Sequence, residues 1–356
     1  MPRAPPGENE AYARAGVDLV KVHSIHKSIA DSLTSTFRTR KGKFGEPAIG
    51  IGHYAGLIDI GGGKLLGLHT DGVGTKVLIA QRMKKFDTVG IDCVAMTVND
   101  LICLGCEPVS LLDYIALERE NDALVDELSK GLVRGANESG AAIVGGETAI
   151  VGDLVKGFNG DGFDLVSMGV GVVNRDELVD GSAVEEGDAV VGIASSGLHS
   201  NGYTLARRIV RDYSLNDEVE ELGESIGEAL LKPTKIYVKP TLEAIKGHDV
   251  HGIGHITGGA FTKLTRLVGD RKLQFWLDGL DALELPPVFR FLQREGDVSE
   301  REMYQTFNMG VGLCIVCPEA AVDAIVRLYR KRGFKARRIG AVKSGEGVYV
   351  GKTRIA

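Results

Sequence analysis

Hydrophobic positions in this chain come in short runs that stop at glycines, and their period changes along the sequence. Gly56-Leu-Ile-Asp-Ile, the triplet Gly61-Gly62-Gly63 and Lys64-Leu-Leu-Gly-Leu-His-Thr-Asp71 read as two strands about a tight turn, which predicts a hairpin over 56–71. The pattern then turns helical near 73–83 and 87–104, where Ile91, Val94, Ala95, Val98 and Ile102 fall three or four apart. A strand of mixed pattern is expected over 108–117, and Asn121 is placed to cap a helix ending at Ser139-Gly140. Short apolar runs at 141–144 and 164–173 close a mixed α/β unit.

After Asn174 the chain becomes charged and turn-rich (Arg175-Asp-Glu-Leu-Val-Asp-Gly-Ser) before restarting with the buried run Ala189-Val-Val-Gly-Ile-Ala. That break predicts a domain over 16–174 and a second over 175–356, behind a proline-rich polar tail at 1–15 that lacks the apolar core of a signal peptide. In the second half helices are expected near 200–213, 236–247, 260–268 and 319–332, and strands near 273–277, 309–316 and 335–342. The last helix shows its period in Val322, Ile325, Val326 and Tyr329, with basic residues at its end. No internal repeat is evident.

Composition narrows the classes. A chain of 356 residues with 44% apolar and 25% charged positions can bury two cores. A net charge of −6 supplies no basic footprint for nucleic acid, and no charge-free apolar stretch is long enough to span a bilayer, so the cytoplasm is the expected compartment. The five cysteines include Cys103-Leu-Gly-Cys106 and Cys314-Ile-Val-Cys317, but the two pairs lie in opposite halves, and the second falls along an expected strand, where residues three apart face opposite ways. Buried thiols in a reducing compartment are therefore expected rather than zinc.

Neither a strict P-loop nor a Rossmann glycine pattern occurs, so a nucleotide site would use other means. Thr70-Asp71-Gly72-Val73-Gly74-Thr75-Lys76 follows a strand and opens a helix: Asp71 could hold a magnesium ion while the glycine N–H groups face phosphate, or it could simply cap the helix. Asp92 and Asn99, with Asp100 slightly round the helix, sit on an otherwise apolar helix and need a partner, either a metal ion or a basic side chain. Gly145-Gly146-Glu147 ends a strand and offers another carboxylate. In the second half, Ser195-Ser-Gly-Leu-His199-Ser-Asn201-Gly could bind phosphate or move protons, and His251-Gly-Ile-Gly-His255-Ile-Thr257-Gly-Gly259 is expected to open a helix as a further anion site.

Taken together, these segments resemble aminoimidazole ribonucleotide synthetases, from about Gly16 onward. Besides those named, Pro233-Thr-Lys-Ile-Tyr-Val238 and Thr306-Phe-Asn-x-Gly-Val-Gly312 carry the resemblance. It implies a two-domain α/β (α+β type) fold in which the N-terminal sheets of a homodimer form a barrel with ATP bound near the junction. It also implies ATP-dependent ring closure of formylglycinamidine ribonucleotide in purine biosynthesis. Asp71, Asp100 and Glu147 match the family's metal positions, with Gly72, Gly74, Thr75, Asn99, Gly145, Gly146, His255 and Thr257 around the nucleotide. Lys27 matches its N-terminal lysine, and Lys76, His199 and Asn201 are the candidates for phosphate contact or proton movement. Where many members carry a glycine-aromatic-glycine loop before the hairpin, this chain has Ala48-Ile-Gly-Ile-Gly-His-Tyr-Ala-Gly56. Other readings are a related ATP-dependent synthetase subunit, which the Thr306-Phe-Asn run argues against, and a non-catalytic ATP-binding regulator.

Overall fold

The structure, a computed structural model, describes residues 19–356, with the side chains of residues 19–24, 26 and 27 outside the description. The expected tail at 1–15 lies outside the described residues. Lys27 falls within helix α1 (Leu19–Thr34), but its side chain lies outside them too.

Six strands form the first sheet: β1 (Glu46–Pro47), β2 (Gly56–Gly61), β3 (Lys64–Gly72), β4 (Glu107–Leu117), β5 (Ala142–Ile150) and β6 (Phe163–Asn174). Their spatial order is β1-β2-β3-β6-β4-β5, antiparallel except for the β4–β5 pair. Helices α2 (Val77–Met83), α3 (Asp87–Ile102) and α4 (Asp122–Ser139) complete this half. Asn121 accepts a hydrogen bond from Leu124 N at 3.1 Å and so caps α4, which Gly140 ends at φ +82°. The hairpin β2–β3 stands where the glycine triplet puts it, with all three turn glycines at positive φ.

Every residue of α3 from Thr88 to Ile102 is buried, polar ones included. A Cβ on Gly131 of α4 would lie 2.1 Å from Asp87 O and 2.8 Å from Gly90 Cα, so the two helices cross backbone to backbone. That close crossing seats the helix that carries Asp92, Asn99 and Asp100.

The second sheet is made by β7 (Ala189–Ala194), β10 (Gly252–His255), β11 (Leu273–Leu277), β12 (Val311–Cys317), β13 (Ala336–Ser344), β14 (Gly347–Val350) and β15 (Thr353–Arg354); β8 (Glu218–Val219) and β9 (Glu224–Ser225) pair separately. The order is β10-β12-β7-β13-β11-β14-β15, with every residue of β7, β10 and β12 buried. Several expectations shift. The 200–213 helix shortens to α5 (Tyr203–Ile209), and 260–268 is a 3-10 helix, Ala260–Leu267. Helices α6 (Ile226–Leu231), α8 (Pro287–Gly296) and α9 (Glu300–Thr306) were not anticipated, whereas α7 (Val238–Gly247) and α10 (Val322–Lys331) lie within the expected ranges. The run 251–259 leads through Gly258-Gly259 into that 3-10 helix, while His255 itself ends β10, whose register pairs it with Leu313 of β12.

All five cysteines are free and buried, and burial pushes the thiols of Cys93, Cys106 and Cys317 up to about 12. Among the described residues no helix is long and apolar enough to cross a membrane.

Candidate active site between the two halves

The end of β3 and the end of α3 bring three ligating groups together. His69, Asp71 and Asp100 each offer one atom, all within 4.8 Å of one another, and they are the one such group among the described residues. They line a cavity of about 600 Å³ whose wall also includes the Ile49–His53 stretch of the loop before the hairpin.

Asp100 is buried, which alone would raise its pKa, but a 2.7 Å hydrogen bond with His255 Nδ1, aided by the charges of His255, Lys263 and His69, holds the carboxyl down at about 2. Burial, and after it the Asp100 charge, raises the Asp71 carboxyl from its ordinary value. Asp71 Oδ1 accepts from its neighbour Gly72 N at 2.8 Å, while neither the 3-10 turn Gly74–Lys76 nor α2 has a side-chain cap, so the helix-cap alternative for Asp71 does not hold. His69 Nε2 is buried, makes no hydrogen bond and stands 3.4 Å from Asp100 Oδ2. An orphaned imidazole nitrogen beside two carboxylates fits a divalent cation, which would satisfy all three at once.

Other expected site residues turn out to hold the halves together. Lys76 is fully buried: its ammonium pairs with Asp92 Oδ2 at 2.7 Å and donates to His199 O at 2.9 Å and Lys232 O at 2.7 Å. Three oxygens answer its three donors, an arrangement that anchors the two halves to each other. Asp92 Oδ1 meanwhile accepts from the backbone N and the hydroxyl of Thr234. Asn99 donates to Lys235 O at 2.8 Å and accepts from Tyr237 N at 3.0 Å, which ties its amide to the second half. The polar line along α3 therefore has protein partners at Asp92 and Asn99, and only Asp100 faces the cavity.

Two loops of the second half meet beside this interface. A Cβ on Gly258 would come within 3.0 Å of Asn201 Oδ1, and Asn201 Nδ2 reaches Met96 Sδ of α3 at 3.8 Å. His199 is fully buried at φ +63°, and burial drives its pKa well below the ordinary value, so the ring is neutral. Its Nε2 accepts from Ser196 N at 3.2 Å, which puts the ring proton on Nδ1, and that donor is buried with no partner. Thr257 Oγ1 is likewise buried and unpaired.

Gly74 and Thr75 are exposed. Gly145, Gly146 and Glu147 lie on the exposed edge strand β5, and Glu147 does not join the cluster within this chain; its Oε1 accepts from Thr148 N. Sequence reasoning missed His69, Tyr54, Lys263 and Arg266. His69 was one residue from a quoted motif, while the last two stand three apart just beyond Gly258-Gly259 and are brought to the cavity by tertiary contacts alone.

Comparison with known proteins gives consistent matches. Residues 52–173 match the AIR synthase related protein N-terminal domain and residues 185–352 its C-terminal domain. The phosphoribosylformylglycinamidine cyclo-ligase of Pyrococcus furiosus is 44% identical over 345 residues, covering 95% of this chain and 97% of the relative. That of Methanosarcina barkeri is 47% identical over 311 residues, covering 86% and 89%. In fold, the chain resembles the thiamine-monophosphate kinase of Stenotrophomonas maltophilia, at 21% identity and a TM-score of 0.62 over 91% of this chain and 96% of the other.

Proposed function

The chain belongs to the AIR synthase related protein family, and on that footing we propose that it uses ATP to close the imidazole ring of formylglycinamidine ribonucleotide, the cyclo-ligase activity for which its relatives are named. The observation that carries this reading is the His69–Asp71–Asp100 cluster on a cavity of about 600 Å³, a size suited to a small-molecule ligand.

Asp71, Asp100 and His69 would hold a magnesium ion, which neutralises phosphate charge during phosphoryl transfer. His255 keeps Asp100 ionised and aimed, since the same hydrogen bond lowers its pKa and fixes its rotamer. An amide oxygen is a poor leaving group, so the substrate's amide oxygen takes the terminal phosphoryl group of ATP, and a nitrogen of the same molecule attacks that carbon as phosphate departs. The second half's role is to hold nitrogen and carbon in reach, which lowers the entropic cost of closure. His199 offers a neutral Nδ1–H and Thr257 an unpaired hydroxyl, and with Asn201 they are polar groups suited to holding substrate oxygens.

We place the enzyme in the cytoplasm, where reducing conditions suit five buried free thiols. We also infer a homodimer, a reading that the exposed face of the first sheet supports. Leu112 and Tyr114 of β4, Val144 of β5 and Met168 of β6 are 38–66% exposed, an apolar surface larger than isolated residues would give. Register pairs Glu147 with Tyr114, so closing that face against a second copy into a barrel would carry Glu147 into the interface.

Heavy oxygen in the substrate amide tests the chemistry. The label is expected in inorganic phosphate by mass spectrometry; label released to water, with turnover demonstrated, would rule out the phosphorylated intermediate.

A further inference from the structure

The cavity that carries the acid cluster has a second wall. Lys263 and Arg266 reach it from the 3-10 helix Ala260–Leu267 of the second half and line the same space as His69, Asp71 and Asp100. In a 3-10 helix residues three apart lie one above the other, so both side chains leave the same side. A different side is anchored by the buried Phe261, Leu264 and Leu267, again three apart.

The loop before the hairpin clamps this helix to the first half. Tyr54, itself buried, donates its hydroxyl to Lys263 O at 3.2 Å, and its ring lies 5.2 Å from the Arg266 guanidinium. Arg266 Nη1 reaches His53 O at 3.5 Å. The Lys263 ammonium differs: it feels the charges of Asp100 and Asp71, yet among the described residues its side chain forms no hydrogen bond or ion pair. A cationic wall and an acidic wall thus face one cavity without closing on each other. A ligand that completes both must carry anionic oxygens toward one and a bound cation toward the other.

We propose that Lys263 and Arg266 bind the non-bridging oxygens of a phosphoryl group whose metal ion is held by His69, Asp71 and Asp100, so that this ligand bridges the two halves. The assignment rests on the function proposed above for the acid cluster, and adds two residues and a ligand chemistry to it. Arg266, held by Tyr54 and His53, presents a fixed fork, while Lys263 supplies a mobile point charge. Two sources have this chemistry: the terminal phosphate of ATP and the ribose phosphate of the substrate.

Calorimetric titration decides among the outcomes. Wild type, Lys263→Met, Lys263→Arg and Arg266→Gln are each titrated with inorganic tripolyphosphate and with a non-hydrolysable ATP analogue, both with Mg2+, and with ADP and the ribonucleotide substrate. The expected result is a loss of tenfold or more in Lys263→Met and Arg266→Gln for a phosphoryl ligand, with Lys263→Arg close to wild type. Loss for the ATP analogue with ADP unaffected identifies the terminal phosphate; loss for the substrate alone identifies the ribose phosphate. Lys263 has no side-chain bond to forfeit, so Lys263→Met reads out binding even where Arg266→Gln disturbs the fold. Equal affinities in wild type and Lys263→Met for all four ligands, or no binding of any by the wild type, overturn the proposal. A wild type that binds tripolyphosphate through Lys263 yet releases no ADP with substrate would sink the cyclo-ligase reading alone.

Discussion

Replacing Lys76 by methionine would strand the Asp92 carboxylate in a site where both side chains are 0% exposed. Taking one partner from a buried pair costs about 3–5 kcal/mol, because the remaining charge has neither water nor counter-ion. Lys76→Met is therefore expected to lose stability of that order in urea unfolding, and Lys76→Met with Asp92→Asn to recover most of it, since no unpaired charge remains. Were Lys76 a phosphate ligand instead, the single variant would keep its unfolding midpoint and lose only nucleotide affinity. A lysine closing Thr-Asp-Gly-Val-Gly-Thr reads as a phosphate ligand because its real acceptors are remote: the two carbonyls lie 123 and 156 positions along the chain. Asp100 was legible as an acid in need of a partner, since it interrupts an apolar helix. That the partner is His255, 155 positions away, was not.

At the scale of elements, the crossing of α3 and α4 carries the site. Gly131→Ala would place a Cβ 2.1 Å from Asp87 O and 2.8 Å from Gly90 Cα, both backbone atoms that no rotamer change can clear. The helices must part, at about 1–3 kcal/mol or more, and the shift moves the helix that carries Asp100. The variant should lower the unfolding midpoint and weaken Mg2+-dependent nucleotide binding together. Gly247, at the end of α7 with nothing within 4 Å of an added Cβ, is the control; Gly247→Ala should be neutral or gain about 0.4–1 kcal/mol. If Gly131→Ala behaves like the control, the close crossing is not what positions α3. Elements with a long period or a glycine turn, such as α3, α4 and the β2–β3 hairpin, were readable because local residues specify them. Strand β10 was not: Gly252-Ile-Gly-His255 has half its positions glycine, and only pairing with β12 makes it a strand. The same holds for Ala260–Leu267, whose apolar spacing suits an α-helix but whose backbone winds tighter after Gly259 at φ +82°.

On the scale of the whole molecule, the two halves are joined by polar pins and the first sheet is left open on one side. Asp92, Asn99 and Asp100 of one helix bind Thr234, Lys235 with Tyr237, and His255 of the other half, so cavity and interface are built from the same turns of α3. A single chain satisfies these pins but leaves Leu112 and Met168, which are register partners, 39% and 38% exposed on the open face. Placing a charge there tests whether a second copy covers it. In a closed dimer Leu112→Glu would set two carboxylates in an apolar contact, a cost of several kcal/mol that mass action at micromolar protein cannot offset. In a monomer the same substitution sits in water and costs nothing of note. Sedimentation should therefore show wild type at twice the chain mass and Leu112→Glu at the chain mass, with unchanged circular dichroism. The functional readout goes further: if Glu147 works only once the face is closed, the monomeric variant should retain tripolyphosphate binding through Lys263 while losing ring closure. A wild type that sediments as a monomer, or a Leu112→Glu chain that stays dimeric, would place the assembly surface elsewhere and leave Glu147 without a role in the site.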